Sequence, residues 1–101
     1  MKIFGNKKLA PKPPAMVVTN GYFELERNGH VATLEYTVAG QILALIHTEI
    51  PADLRGGGVA STLVKSALDW AREHHMKIDV VCPFVAGYLE THPEYSDLVL
   101  R

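Results

Sequence analysis

The sequence predicts a mixed α/β domain: an antiparallel meander of three strands, then a strand–helix–strand crossover and a short C-terminal helix. Three observations carry this expectation. Apolar and polar side chains alternate from Gly21 onward, interrupted by Asn28-Gly29 and Ala39-Gly40, which is the period and punctuation of hairpin-linked strands. Apolar residues then recur at spacings of three and four from Val59 to His75, the stripe of a half-buried helix. A short apolar run, Lys77 to Cys82, follows directly, and a strand reached through a helix runs parallel to the strand before it.

Each element has its own justification. In Gly21–Arg27, Phe23 and Leu25 point one way and Tyr22, Glu24 and Glu26 the other. Val31–Val38 places Leu34, Tyr36 and Val38 on one side. Gln41–Ile50 carries the run Ile42-Leu43-Ala44-Leu45-Ile46, apolar on both faces, which predicts a central strand covered on both sides. Pro51 ends it. The helix from Val59 buries Ala60, Leu63, Val64, Ala67, Leu68 and Ala71, and His74 and His75 suit the negative end of its dipole. Pro83 opens a short helix that Pro93 stops, and the tail from Tyr95 is apolar enough to dock on the core.

The chain of 101 residues suits one domain, read as 16–101, preceded by a basic arm over 1–15. The arm holds Lys2, Lys7, Lys8 and Lys12 without an acid, and Pro11, Pro13 and Pro14 argue for a loose segment. Formal net charge is −1, which gives the chain as a whole no bias toward nucleic acid. Cys82 is the single cysteine, so no internal disulfide forms and a reducing compartment, the cytoplasm, is the expectation. No run approaches the roughly 20 apolar residues of a membrane span. The histidines lack a metal-ligand spacing, so no metal is expected.

The chemistry centres on Arg55-Gly56-Gly57-Gly58-Val59-Ala60. Glycine costs conformational entropy, so three in a row between a strand and a helix need a cause. One cause is close approach of a ligand to the free amides of a helix start, where phosphate is favoured. A tight connection without any ligand is the competing cause. Neither a P-loop lysine nor the third glycine of a dinucleotide fingerprint is present.

This turn resembles the pyrophosphate loop of the GNAT acetyltransferase superfamily. Four blocks in order resemble a group of minimal GNAT-like acetyltransferases: His47-Thr48-Glu49-Ile50-Pro51, Leu54 to Ala60, Cys82-Pro83-Phe84-Val85 and His92-Pro93-Glu94-Tyr95. The resemblance implies a GNAT-like fold and a cofactor, acetyl-CoA. Its pantetheine would lie between two splayed strands, near Thr48, Glu49 and Ile50. Its pyrophosphate would meet Arg55 and the amides of Gly56, Gly57, Gly58, Val59 and Ala60. The implied reaction is transfer of an acetyl group to a primary amine, on a small molecule or on a protein lysine.

Four residues are candidates for the reaction. A histidine titrates near neutrality, so His47 could take the amine proton, with Glu49 orienting it or acting itself. Cys82 could accept the acetyl group covalently or only line the pocket. Tyr88 stands where many GNAT enzymes carry a tyrosine that protonates the departing thiolate. The short chain lacks the later strands of larger relatives, so a non-enzymatic acyl-CoA-binding module is the rival expectation. A nucleic-acid or partner contact through the lysine arm is a third.

Overall fold

The computed structural model describes residues 2–4 and 18–100, with side chains from 20 onward. Strands β2 (Val18–Arg27), β3 (His30–Ala39) and β4 (Ile42–Glu49) form the expected antiparallel meander. Asn28 and Gly29 have φ of 54° and 79°, the pair of left-handed residues that a tight hairpin turn needs. Gly40, at φ 60°, serves the second turn.

Helix α1 (Val59–Glu73) crosses from β4 to β5 (Lys77–Val80), which pairs parallel to β4 as expected. Helix α2 (Pro83–Thr91) follows, and a 3-10 segment, Pro93–Leu98, turns Tyr95 and Leu98 into the core. Val99 then bridges in parallel to Ile78. The fold is therefore the GNAT-like mixed sheet read from the sequence, with α1 ending at Glu73 and not at His75. His75 adopts φ 56°, and the Met76 amide donates to the Ala71 carbonyl, closing the helix end.

A further strand, β1 (Lys2–Phe4), joins the sheet beside β2, giving the order β1-β2-β3-β4-β5. The arm read as loose over 1–15 thus contributes three residues to the sheet. The pairing of Lys2, Ile3 and Phe4 with Glu26, Leu25 and Glu24 satisfies backbone groups that an open edge would leave exposed. The rest of the arm lies outside the described residues.

One face of the sheet presents Phe23, Leu25, Leu34, Tyr36, Val38, Leu43 and Leu45 to the α1 stripe of Val59, Leu63, Val64, Ala67, Leu68 and Ala71, and all are buried. The opposite face is open. Tyr22, Val31 and Ile42 are exposed there, so β4 is covered on one side and not on both. Its apolar run misleads because Leu43 and Leu45 serve the core, Ala44 has only a small side chain on the other face, and Ile46 is taken up by a bulge.

That bulge decides the site. Tyr36 pairs with Leu45, yet Glu35 pairs with His47, so Ile46 is the extra residue on β4. A bulge reverses the alternation beyond it. Thr48 thereby stands opposite Leu34 on the core face, while His47 and Glu49 turn to the open face with Glu35 and Thr33.

Candidate functional site

The β4–β5 ladder stops at Leu45 and Val80, one residue before the bulge, while β4 continues to Glu49. The sequence predicts β5 through Cys82, but the Val81 and Cys82 amides both donate to the Leu45 carbonyl and the chain leaves the sheet there. The two strands part at that carbonyl. A cleft of about 390 Å³ opens beyond, within the ~300–1,000 Å³ usual for small-molecule sites.

Thr48 and Ile50 line the cleft from the end of β4, Leu54, Arg55, Gly56 and Gly58 from the turn, Val59, Ala60 and Ser61 from the start of α1, and Phe84 from α2. Of the nine residues predicted to meet the cofactor, Glu49 and Gly57 do not line this cleft. The bulge turns Glu49 away. Gly57 faces Arg27, one of whose guanidinium nitrogens would lie 2.9 Å from a Cβ at that position. Leu54, Ser61 and Phe84 were not predicted. Ser61 had a signal in its place in the first helical turn, and Phe84 in following Pro83, but sequence spacing does not show that α2 begins beside the cleft.

The glycine turn presents a helix start without a cap. Gly56 and Gly58 have φ of 83° and 77°, a conformation that side chains rarely adopt. Gly58 is the N-cap residue of α1; no side chain caps the helix, and its first turn holds no acid. The Thr62 amide makes the first intrahelical bond, to the Gly58 carbonyl, so the amides just before it have no helical acceptor. Arg55 is exposed and its Nε donates to the Ile50 carbonyl at 3.2 Å, which ties the rim to the end of β4. Free amides, the positive end of a helix and a cation fit a diphosphate group.

The four candidate catalytic residues fall in three places. Cys82 is buried and its Sγ lies 3.7 Å from Thr48 Oγ1, behind the cleft wall. His47 is exposed on the open face, with Nε2 3.1 Å from Glu49 Oε1. Tyr88 is buried between α1 and the tail, stacked on His92 at 3.8 Å. Burial pushes its phenol up, against a smaller opposing effect of Lys65. The structure joins His47 to Glu49 but brings neither to Cys82 or Tyr88.

The fourth sequence block serves the fold. Tyr95 donates to Asp69 Oδ1 at 2.6 Å, and Arg72 holds both oxygens of Asp97 at 3.0 and 3.1 Å. His92 Nδ1 lies 2.8 Å from the Tyr88 carbonyl oxygen, to which the ring nitrogen donates. These contacts fasten the tail to α1 and α2.

The profile of the GCN5-related N-acetyl-transferase family matches residues 22–98, from the second strand through the docked tail. The chain belongs to this family. Protein NATD1 of Gallus gallus is 38% identical over 63 residues, covering 61% of this chain and 57% of that protein; the Mus musculus protein gives the same values. The match thus spans little more than half the length of these relatives. NATD1 of Danio rerio is 31% identical over 84 residues, covering 78% of this chain and 76% of its own. An NMR structure of a GCN5-like protein from Staphylococcus aureus, described as a candidate N-acetyltransferase, superposes with a TM-score of 0.62 at 28% identity, covering 85% of this chain and 89% of that one. The family's general use of acetyl-CoA agrees with the chemistry of the cleft. Among the described residues no helix is long and apolar enough to cross a membrane.

Proposed function

We propose that this chain is an acetyl-CoA-dependent N-acetyltransferase whose acceptor is a primary amine, with a protein lysine as the favoured class and the cytoplasm as its place of action. The observation that carries this reading is the parting of β4 from β5 beside an uncapped, glycine-built helix start. The amides from Gly56 to Ala60 and the Arg55 guanidinium would hold the pyrophosphate. The Thr48–Ile50 backbone, without a β5 partner, would pair with the pantetheine amides.

Acetyl-CoA supplies the acyl group as a thioester. On the chain's side, His47 takes the proton that the attacking amine sheds, and Glu49 orients the imidazole and offsets the charge it gains. Cys82 and Thr48 close the inner wall and keep water from it. Tyr88 is stacked on His92 and is not among the residues lining the cleft, so this reading assigns it no proton transfer.

The open face supports a cationic acceptor. By register, Tyr22, Glu35 and His47 form one row across β2, β3 and β4, and Glu24, Thr33 and Glu49 form the next. His47 therefore sits among three carboxylates on a flat surface that admits a polypeptide. Acetyl transfer to lysine peptides, followed by mass spectrometry, tests the reading; transfer that is absent while CoA binds would reject catalysis.

A second reading, an acyl-CoA-binding module without transfer, draws on the separation of His47 from Cys82. It predicts calorimetric binding of CoA and no acetylated amine from any acceptor.

A further inference from the structure

The three glycines of the cleft turn have two different causes. Gly56 and Gly58 adopt left-handed backbone angles, and a Cβ at either would meet nothing within 4 Å. Gly57 has no such angle. A Cβ there would come 2.9 Å from an Arg27 guanidinium nitrogen and 3.6 Å from the Leu54 carbonyl oxygen. The middle glycine thus lies beneath the flexible tip of a side chain from the first hairpin, 30 residues earlier in the sequence, which a Cβ would displace.

The same hairpin makes a second contact with the same loop. His30 is the register partner of Arg27 across the Asn28-Gly29 turn, and its Nε2 lies 3.0 Å from Asp53 Oδ2. Asp53 belongs to the 3-10 turn Ala52–Leu54 that leads into the glycines, and Leu54 anchors that turn in the core. His30 therefore holds the loop at Asp53 and the Arg27 guanidinium lies over Gly57, on either side of Leu54, Arg55 and Gly56.

We propose that Arg27 and His30 are positioning residues for the phosphate-facing loop. The hairpin holds the loop at Asp53 and steers the direction of its amides, and the guanidinium over Gly57 adds positive potential beside them. The His30–Asp53 pair is solvent-exposed on both partners, and such pairs add little to global stability. Its consequence is local: it selects one arrangement of a segment that glycine otherwise leaves free. This inference rests on the cofactor reading given under Proposed function.

Two measurements test it. In CoA titrations, Arg27→Ala and Gly57→Ala each weaken binding by about three- to tenfold, the scale of coupling between residues in contact. The double variant binds no worse than Arg27→Ala alone, because the space that Gly57→Ala needs has been vacated. The KM for acetyl-CoA rises while kcat at saturation holds. Additive losses in the double variant, or a fall in kcat alone, overturn the proposal.

The second measurement needs no ligand. Amide hydrogen exchange over 53–61 accelerates in Arg27→Ala and in the milder His30→Gln, while the amides of β3 and β4 exchange as in the unaltered protein. Unchanged loop exchange in both variants overturns the proposal. Should the unaltered protein bind no CoA, the cofactor reading fails, and the exchange data still decide whether the hairpin holds the loop.

Discussion

Thr48 Oγ1 stands 3.7 Å from Cys82 Sγ, a contact that joins the bulged end of β4 to the start of α2. It spans the very gap at which the two strands part. Cys82 is also the N-cap residue of α2, and its amide is held by the Leu45 carbonyl at 2.9 Å. A small buried side chain held this way packs the inner wall, and its sulfur meets a neutral hydroxyl. Cys82→Ala is expected to leave a small void that costs about 1 kcal/mol and to leave acetyl transfer close to that of the unaltered protein. Denaturant unfolding and initial rates check the two halves. An acetylated Cys82 trapped in the intact protein by mass spectrometry would instead establish a covalent route.

Tyr36 carries a hydroxyl buried in the core with no hydrogen-bond partner among the described residues, and burial pushes its ionisation up to about 12. An orphaned polar group costs about 1–3 kcal/mol of desolvation. Tyr36→Phe keeps the ring, which packs on Phe23 at 5.1 Å, and is expected to stabilise the fold by about 1 kcal/mol. The sign of the alkaline effect follows from the raised value. The folded protein keeps the proton that the unfolded chain loses near 10, so stability is full below pH 10 and falls as pH rises toward 12. Melting temperatures between pH 9 and 11.5 should fall less steeply in Tyr36→Phe. Parallel slopes would show that folding does not raise the Tyr36 ionisation.

Much of this architecture was legible because each signal was local. The alternation of Phe23 and Leu25, the Asn28-Gly29 turn and the stripe from Val59 to Ala71 all act within one element, so the strand order and crossover followed from them. The cleft was legible for the same reason, since Gly56, Gly58, Val59 and Ala60 adjoin in sequence. What required the tertiary structure was register. Nothing in Leu43-Ala44-Leu45-Ile46-His47 marks Ile46 as the extra residue, yet that one insertion sends His47 and Glu49 to the open face and Thr48 to the cleft. Likewise only the tertiary structure brings the Arg27 guanidinium over Gly57 and pairs Lys2–Phe4 with β2.

The fastening of the tail predicts an acid-sensitive fold. Burial alone would raise the Asp69 carboxyl, but hydrogen bonds from Lys65 and Tyr95 outweigh it and hold Asp69 below its ordinary value. The paired bonds from Arg72 hold Asp97 below its ordinary value as well. Both groups stay ionised in the folded protein at a pH where the unfolded chain has begun to bind protons. Their stabilisation is thus present above the ordinary carboxyl value of 3.8 and is lost as pH falls below it. Both pairs reach solvent, so the effect is modest and weakens with salt. Melting temperatures from pH 5.5 to 2.5 are expected to drop more steeply for the unaltered protein than for the Asp69→Asn, Asp97→Asn double variant. Equal slopes would assign the acid sensitivity to other carboxylates.

The strongest demand on the proposed reaction falls on His47. Removing a general base typically costs about 10²–10⁴ in rate, so His47→Gln is expected to lower kcat by at least about 10². The side chain points away from the cleft wall formed by Thr48 and Ile50, and the KM for acetyl-CoA should therefore stay the same. Glu49→Gln leaves the imidazole without the carboxylate 3.1 Å from its Nε2 and should lower kcat by about tenfold, since it acts through its neighbour. Glu35→Gln differs in kind. Glu35 lies beside His47 on the adjacent strand, so its loss should raise the KM for a lysine peptide and spare that for acetyl-CoA. Steady-state kinetics with both substrates varied separates the three patterns. If His47→Gln turned over like the unaltered protein, the proton would have another acceptor, and the open face would lose its assigned part in the chemistry.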